Sequence, residues 1–543
     1  MFSTLSPIQV IRRLYPLLCC LLFVLIGFAF TPQAGIENDE ALFGGGIYRH
    51  HGVTYDDQIL GHRVPLMLMS YLGTLKSWVY APIFRFWQPS VSSLRIPVIL
   101  FGGLTIWLFS ILLRRIAGHR AAAVGAVLLS TDTIYLLTTC YDWGPVVLQH
   151  LLLVGGILCL VRFHQERQPR FLAAGFFLLG LGLWDKALFI WILSGITAAT
   201  FVVFPRELWK SLTLRNLTTA TLAFSLGSAP LIIYNIQHPL ETFRANASYD
   251  AGDIPNKAHL LRATLDGRAL FGFIARDDPS GHRRTPESAI ERLSVGLSEK
   301  TGGHRINFFA WAFFGAAILA PVLWRTPAWR PLVFSALAML IAWLQMALNK
   351  NTGGSAHHTI LIWPFPTLFI AVAFAELSRR IGSLGRPLLV AVVILVAGSG
   401  LLVTNEYFAQ SVRNGAGESW TDAIFPLSDY LKTVKPQLIY INDWGMFDTL
   451  HLLHRGRLPL REGSDPLSKP QLNSEEKDLI LKRLEEPDSI FVGHPDANEL
   501  FKGVNAKLRE MAKEAGFRRV MLAEIPDRNG RMMFEVFRFE RSR

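Results

Sequence analysis

The sequence predicts an α-helical polytopic membrane protein of about eleven transmembrane helices, followed by a small soluble α/β domain. Hydrophobic residues make up 51% of the 543-residue chain and charged residues only 18%, whereas a soluble domain carries about a quarter charged residues. Apolar runs of spanning length recur as far as residue 404, and mixed charge replaces them from there to the C-terminus. We therefore expect a membrane domain over 1–404 and a soluble domain over 405–543.

The spans are predicted where an apolar run reaches the roughly 17–25 residues that a helix needs to cross a bilayer. The first run follows Arg12 and Arg13, as in a signal peptide, but it is long enough to span and no A-x-A-like cleavage site follows it, so we expect a retained helix. The predicted spans are 14–30, 96–113, 121–138, 145–161, 171–184, 187–204, 217–234, 306–324, 331–347, 359–377 and 387–404. The short runs 171–184 and 187–204 could form a tight hairpin.

Clusters of basic residues predict the orientation, because short loops that hold Lys and Arg stay cytoplasmic. With the spans above, all the clusters fall on one side: Arg12/Arg13, Arg114/Arg115/Arg120, Arg162/Arg167/Arg170, Arg206/Lys210/Arg215, Arg325/Arg330 and Arg379/Arg380/Arg386. The large loops 31–95 and 235–305 and the C-terminal domain then face outward. Charged residues and prolines interrupt the apolar segment 64–84, which we predict to be one or two amphipathic helices on the outer surface.

The region 405–543 alternates strand and helix patterns. Short strands are predicted at 437–441, 489–493, 519–523 and 532–537. Asn473 with Glu476, and Asp496 with Glu499, have the spacing of a capping box at the start of a helix. These patterns indicate a small α/β domain.

Two outward turns supply carboxylates that could carry chemistry. Asp39 and Glu40 follow the first span; such a pair could act as a general base or hold a divalent metal, and it could equally cap a helix. Asp142, in the sequence Tyr-Asp-Trp-Gly-Pro, occupies the next outward turn and is open to the same two interpretations. Residues in separate outward turns could converge over one cavity.

Basic and imidazole side chains recur at the same predicted boundary. Lys186, in Trp-Asp-Lys, interrupts apolar sequence and could meet a lipid phosphate or extend to the interface from a turn. His357 and His358 follow a Gly-rich turn and precede Trp-Pro-Phe-Pro; they could bind phosphate at a helix start or anchor the helix at the interface. Adjacent histidines lack the i,i+4 spacing of a zinc site. Lys350 is close enough in sequence to add positive charge.

This arrangement resembles the GT-C membrane glycosyltransferases. An Asp-Glu pair after the first helix, an acidic residue in the second outward turn, many spans and a soluble C-terminal domain are similar to the dolichyl-phosphate-mannose protein mannosyltransferases and to the bacterial lipid A aminoarabinose transferases. The resemblance covers about residues 10–404 and includes the Trp-Asp-Lys and His-His motifs. The His-His pair stands where many relatives carry Arg-Tyr.

The resemblance implies transfer of a sugar from a polyprenyl-phosphate carrier to a lipid, protein or glycan acceptor. It places the reaction on the outward face of a bacterial inner membrane, generally with inversion at the anomeric carbon. Asp39 would be the general base, and Glu40 and Asp142 would orient the substrates. The leaving phosphate would be held by Lys186, Lys350, His357 and His358. Some members of the family need a divalent metal and others do not, and this sequence does not decide between them.

Other classes of function compete with this interpretation. A transporter or flippase of lipid-linked saccharides should place ionisable groups near the midplane of two repeats, and a non-catalytic assembly factor would use its C-terminal domain to bind a partner. The net charge of +12 does not indicate nucleic-acid binding, because many basic residues stand at the ends of apolar runs. The four cysteines lie in or beside apolar segments and form neither a disulfide framework nor a CxxC site.

Overall fold

The protein is described here from a computed structural model that covers residues 7–48, 53–59, 61–279, 281–350 and 353–542. A helical domain reaches Asn414, and an α/β domain follows it. The helices of the first domain are α1 (Pro7–Phe30), α2 (Asn38–Gly45), α3 (Leu75–Phe86), α4 (Val91–Ser130), α5 (Thr133–Cys140), α6 (Val146–Glu166), α7 (Pro169–Asp185), α8 (Ile190–Val203), α9 (Pro205–Ser211), α10 (Leu214–Gly227), α11 (Ala229–Gln237), α12 (Glu241–Asn246), α13 (Ile254–Leu265), α14 (Ala289–Thr301), α15 (Phe309–Leu319), α16 (Trp329–Leu348), α17 (Ala356–Thr359), α18 (Phe365–Arg380) and α19 (Gly385–Asn414).

The predicted apolar runs all lie on helices, which confirms the polytopic helical class. By length and composition, five helices of the described chain can cross a membrane, or up to eight if each of three bent pairs is one span. The predicted count of about eleven is higher, because α7 and α15 are shorter helices, and because α4 contains the predicted run 96–113 and also the first part of the run 121–138. Within α4, Gly118 interrupts the helix with a φ of 85°.

The basic loops converge at one end of the helical domain. The guanidinium of Arg115 contacts Glu166 at 3.2 Å, and one Arg379 N–H donates to the Ala117 carbonyl at 3.2 Å. Arg330 likewise pairs with Glu207. These contacts join loops far apart in sequence, as the predicted alternation of the spans requires.

Helices α7 and α8 do not form the tight hairpin that their short apolar runs suggested. α7 packs against α6 and α10, whereas α8 packs against α16. A 3₁₀ turn over Ala187–Phe189 joins the two helices. The two helices therefore diverge after Lys186. The backbone of Lys186 at this break pairs with Leu72 of the loop between α2 and α3.

Helices α7 and α10 cross at a pair of glycines. A Cβ added at Gly180 would lie 2.4 Å from the Phe224 carbonyl oxygen, and one added at Gly227 would lie 2.4 Å from that of Phe177. Such a close approach is available only to residues without a side chain. The other surfaces of α10 and α11 remain largely exposed, as the 69% exposure of Leu226 shows.

The prediction of amphipathic helices over 64–84 is wrong in its first half. The described residues 55–59 and 61–73 form a three-stranded antiparallel sheet of β1 (Tyr55–Ile59), β2 (His62–Met69) and β3 (Leu72–Gly73), and only α3 is helical. This segment forms a sheet instead of a helix because it packs on the end of α7. There, the Trp184 indole N–H donates to the Leu66 carbonyl at 2.9 Å. Tertiary contact thus overrides the local apolar pattern.

The C-terminal region confirms the predicted α/β domain. Its strands are β4 (Leu438–Ile441), β5 (Leu460–Glu462), β6 (Ser489–Gly493), β7 (Phe517–Pro526) and β8 (Met532–Arg541), and its helices are α20 (Ile424–Val434), α21 (Phe447–Leu453), α22 (Ser474–Glu485) and α23 (Val504–Glu514). The strand order is β5-β4-β6-β8-β7, with β5, β4 and β6 parallel. The α19 helix continues beyond residue 404 to Asn414 before this domain begins.

One of the two predicted capping boxes forms. Asn473 and Glu476 cap α22 reciprocally. Asp496 starts only a short 3₁₀ turn, and the carboxylate of Glu499 instead accepts hydrogen bonds from the backbone N–H groups of Gly503 and Asn505. The prediction of the second capping box is therefore wrong, because Glu499 caps the N-terminus of the following helix.

Candidate active site

The N-cap of α2 is Glu37, not Asp39. The Glu37 carboxylate accepts from the Asp39 N–H at 2.7 Å, and the Glu37 N–H donates to Glu40 at 3.4 Å. Helix capping, one of the two roles predicted for the pair Asp39 and Glu40, is thus carried out by Glu37 and Glu40. The half-buried side chain of Asp39 is not used by the cap and stays available for chemistry.

Glu40 forms a fully buried ion pair with Arg95 of α4. Two N–H groups of the guanidinium donate to the two carboxylate oxygens, each at 2.8 Å, and both side chains are 0% exposed. The remaining Arg95 donors bind the backbone carbonyls of Thr31, Ala34 and Gly35. Arg95 therefore ties α2 and the segment before it to α4.

Asp142 is buried in a second polar cluster with two residues of α3. The Lys76 ammonium lies 2.5 Å from the Asp142 carboxylate, and the Tyr80 hydroxyl donates to that carboxylate at 2.7 Å. Lys76 also donates to the Gly144 carbonyl at 2.7 Å. Burial raises the pKa of Asp142 to about 7, although the Lys76 charge and the Tyr80 hydrogen bond act in the opposite direction.

Lys186 lies at the break after α7 and is held there by the sheet of β1, β2 and β3. Its backbone pairs with Leu72, and the next N–H, that of Ala187, donates to the Tyr71 carbonyl at 2.9 Å. The side chain is 4% exposed. Burial lowers the pKa of Lys186 to about 8, and the carboxylates of Asp39 and Asp185 oppose that shift.

Asp39 and Lys186 are brought together electrostatically. Burial raises the pKa of Asp39, while the ammonium groups of Lys186 and Lys76 and a hydrogen bond from Trp143 hold it down. Lys76 links this pair to Asp142. The structure thus unites the predicted residues Asp39, Asp142 and Lys186 at one site.

The carboxylate of Asp185 is completely buried at the end of α7. Neither of its oxygens has a hydrogen-bond partner among the described residues. The positive charges of Lys76 and Lys186 lie near it. A buried acceptor without a donor is unusual, and this one lies next to the lysine of the site.

The paired histidines line the same region. The ring of His357 lies 4.5 Å from that of Trp143 and 4.1 Å from that of His358. The Gly353 N–H donates to His358 Nδ1 at 3.3 Å, so the proton of this neutral imidazole is on Nε2. Lys186 acts electrostatically on both rings. The two histidines lie on α17, a helix of only four residues that a 3₁₀ turn over Ile360–Ile362 follows. Phosphate binding by this pair stays a prediction.

Lys350 does not join this group. Its side chain is exposed, and its backbone N–H donates to the Ser248 carbonyl at 2.8 Å. Besides Lys186, the lysine that acts on His358 is Lys257, whose buried ammonium binds the carbonyls at the end of α16, with Asn349 O at 2.5 Å. Lys257 satisfies the carbonyl groups that a helix leaves unpaired at its C-terminus.

The sequence did not single out Lys76, Tyr80, Arg95 and Lys257 as site residues. Lys76 and Arg95 did leave a signal, because each charge interrupts an otherwise apolar stretch. Lys257 stands among other polar residues of a long loop and leaves none. Among the residues that the structure describes, no group of three or more His, Cys, Asp or Glu side chains could hold a metal ion.

Comparisons with known proteins agree with this architecture. A family described as dolichyl-phosphate-mannose-protein mannosyltransferase matches residues 74–234, which include Lys76, Asp142 and Lys186. A search of curated proteins gives no match. The crystal structure of ArnT from Cupriavidus metallidurans bound to undecaprenyl phosphate is 13% identical, with a TM-score of 0.58 over 96% of this chain and 97% of that one.

The apo oligosaccharyltransferase of Archaeoglobus fulgidus is also similar. It is 13% identical, with a TM-score of 0.50 over 89% of this chain and 70% of that one. Together with the matched family, these structures confirm the predicted resemblance to the GT-C membrane glycosyltransferases.

Proposed function

We propose that this chain transfers a sugar from a polyprenyl-phosphate carrier to an acceptor hydroxyl, with inversion at the anomeric carbon and with Asp39 as the general base. The observation that carries the proposal is the meeting of Asp39 with Lys186. A half-buried carboxylate that no helix cap occupies interacts electrostatically with a buried ammonium. This pair offers a base and a phosphate-binding group within one site.

Asp39 is suited to accept the proton of the acceptor. Burial raises its pKa, which makes the carboxylate a stronger base than one in water. As the acceptor oxygen bonds to the anomeric carbon, its proton passes to Asp39. The bond from that carbon to the phosphate oxygen breaks on the opposite face, and the electron pair leaves with the polyprenyl phosphate.

Lys186 and the histidine pair are suited to the leaving phosphate. Negative charge develops on the phosphate as the bond breaks, and fixed donors aimed at such charge lower the barrier. With a pKa of about 8, Lys186 is protonated at neutral pH. The Nε2–H of His358 supplies a neutral donor. ArnT is bound to undecaprenyl phosphate in its structure, and we assign a carrier of the same chemical class to this chain.

The other two predicted carboxylates act through partners. Asp142 fixes Lys76, whose charge reaches Asp39, and Glu40 fixes α2 through Arg95. Both are positioning residues in this proposal. They keep the base in place and need not contact the sugar.

The same proposal sets the chain in a bacterial inner membrane. The end of the helical domain with the basic loops would face the cytoplasm, and the site and the α/β domain would face the periplasm. A lipid carrier could keep its tail in the bilayer while its sugar reaches the outward end of the helices.

The test is transfer of labelled sugar by the purified full-length protein from a panel of polyprenyl-phosphate sugars. Asp39→Asn is the test variant. Asp57→Asn is the matched control, because it makes the same change at an exposed carboxylate of the same outward loop. We expect transfer by the wild type and the control, and a loss of about 10²–10⁴-fold in Asp39→Asn.

Full activity of a folded Asp39→Asn variant would remove Asp39 as the base. If the wild type transfers sugar from none of the donors, the assignment as a transferase is wrong. Movement of the intact lipid-linked sugar across vesicles would then identify a flippase.

A further inference from the structure

Helix α14 lies beside α19 at the point where the predicted span 387–404 ends. The Ser294 hydroxyl donates to the Asn405 carbonyl at 3.3 Å, and the Asn405 amide donates to the Ser294 carbonyl at 3.0 Å. One residue later, the Glu406 carboxylate accepts a hydrogen bond from the Ser298 hydroxyl. Because these contacts join α14 to the first two residues after the span, they hold it at the level of the membrane surface.

The helix that follows α14 in the chain begins close to the same level. Phe308, at the N-cap of α15, donates its N–H to the Ser399 hydroxyl of α19 at 2.9 Å. Ser399 and Asn405 are separated by about 9 Å along the axis of a helix. The exposed side chains of Phe308, Trp311 and Ile318 belong to the apolar surface of α15. This surface therefore begins about one and a half helical turns from α14.

The face of α14 that packs on the protein is mostly polar. The buried residues of this helix are Glu291, Ser294, Val295 and Ser298, and only Val295 among them is apolar. A surface helix of a soluble protein turns its apolar residues toward the core. Hydrogen bonds therefore account for most of the attachment of α14, and its larger apolar residues lie elsewhere.

These larger residues form an exposed apolar stripe of Ile290, Leu293 and Leu297. Their spacing of three and four residues aligns them on one side of the helix. Leu293 is 75% exposed and Ile290 is 60% exposed. At about 100° per residue, Arg292 and Glu299 lie roughly 130° around the axis from the stripe. A helix with separate apolar and charged faces is typical of the membrane–water interface.

A phospholipid surface is the partner that this position favours. The apolar stripe is close to the exposed aromatic residues at the start of α15, so lipid chains around that helix also reach the stripe. In water, each exposed leucine would carry the free-energy cost of apolar hydration. Lys300 is exposed and follows Leu297 by one helical turn, so its ammonium can extend from the edge of the stripe to a lipid phosphate.

We propose that α14 is an interfacial helix whose apolar stripe inserts into the lipid at the end of the helical domain that carries the α/β domain. Arg292 and Glu299 stay in water, and Lys300 meets the lipid phosphate. The inference depends on the contacts of α14 with α19 and is independent of the proposed sugar transfer.

The same helix connects the lipid surface to the C-terminal domain. The side chain of Asn529, in the turn between β7 and β8, donates to the carbonyls of His282 and Arg413 at 2.8 and 3.0 Å. Arg413 in turn donates to the Ser298 hydroxyl at 3.0 Å. Insertion of the apolar stripe therefore also fixes the height of the C-terminal domain above the bilayer.

The test is a spin-label scan of the full-length protein in nanodiscs of phosphatidylcholine and phosphatidylglycerol. Single cysteines replace Ile290, Arg292, Leu293, Leu297 and Glu299 in a protein whose four native cysteines are changed to alanine. All five side chains are exposed, so the labels do not disturb packing. Collisions of each label with oxygen, which concentrates in lipid, are compared with collisions with a water-soluble nickel chelate.

We expect the ratio of oxygen to chelate collisions to be several-fold higher at the three stripe positions than at the two charged positions. Arg292 is the matched control for Leu293, because it is the neighbouring residue on another face of the helix. Equal ratios at all five positions would place the stripe in water. Few collisions with either probe at the stripe would show that protein covers it. Either result would overturn the inference.

A second measurement needs neither labels nor changed cysteines. The double variant Leu293→Glu/Leu297→Glu should release the stripe from the lipid, so hydrogen exchange of peptides that cover 289–301 should be faster than in wild type. Arg292→Gln changes a residue on the water-facing side and should leave the exchange unchanged. Equal exchange in wild type and the double variant would contradict the inference, because leucines exposed to water can be replaced without loss of protection.

Discussion

The two ends of the helical domain hold their charges in different ways. At the end with the basic loops, Arg115 pairs with Glu166, and these side chains are 30% and 27% exposed. At the site end, Arg95 and Glu40 are both 0% exposed. Water screens the first pair and reaches neither member of the second.

This difference separates two uses of charge in a membrane protein. Exposed arginines between helices set the orientation of the chain, and each contributes little to stability through its ion pair. Buried pairs depend on each other, because the loss of one partner leaves a charge without solvent or counterion. The strongest effects of substitution are therefore expected at the site end.

The largest effect is expected from Arg95→Met. This change leaves Glu40 buried and unpaired and should cost about 3–5 kcal/mol of stability. The measurement is the apparent melting temperature of the detergent-solubilised protein. The double variant with Glu40→Gln should recover much of the loss, because no unpaired charge remains. A single variant as stable as wild type would show that the pair does not hold α2 in place.

The next effect concerns Lys186. Lys186→Met should lower kcat/KM for transfer by about 10²–10³-fold, because the leaving phosphate loses its buried cation. Lys350→Gln is the matched control and should change it by less than about twofold, since an exposed lysine interacts weakly. Equal losses of kcat/KM in the two variants would contradict the prediction that the buried Lys186, and not the exposed Lys350, binds the phosphate.

A smaller effect is expected from pH. Because burial lowers the pKa of Lys186 to about 8, the charged form that binds phosphate is lost as pH rises through about 8. The kcat/KM for transfer should therefore fall above that pH. Lys186→Arg stays protonated at all accessible pH values, so its profile should lack this decline. The check is kcat/KM against pH for both proteins, and a decline shared by both would assign it to another group.

The smallest effect is expected at the basic end. Arg115→Met breaks a half-exposed pair with Glu166, and the apparent melting temperature should stay within experimental error of wild type. A large decrease there would remove the contrast between the two ends.

Much of this architecture could be predicted from the sequence. A spanning helix is visible in the sequence as one continuous apolar run. The basic residues in alternate loops then predict which ends of the helices lie on the same side. The four predicted strands of the C-terminal domain all form, while β5, with only three residues, is too short for a pattern to show. The sheet over 55–73 could not be predicted, because it depends on Trp184 and other residues that lie far away in sequence.

The site divides in the same way. Asp39, Asp142 and Lys186 stand at turns that the predicted alternation of the spans brings to one end, so their common location could be predicted from the sequence. Which partner each carboxylate takes does not follow, because Lys76 and Arg95 reach them from α3 and α4. A sequence pattern shows that a charge is buried, but it does not show the residue that the charge faces.

The glycine crossing of α7 and α10 has a consequence for how the protein withstands its lipid environment. Hydrocarbon chains solvate the exposed leucines of α10 as well as another helix would, so no apolar driving force keeps this helix attached to the domain. Its attachment depends on backbones in direct contact at Gly180 and Gly227. A single methyl group at Gly227 would wedge the two helices apart, and lipid would fill the gap beside α7, the helix that ends at the lysine of the site.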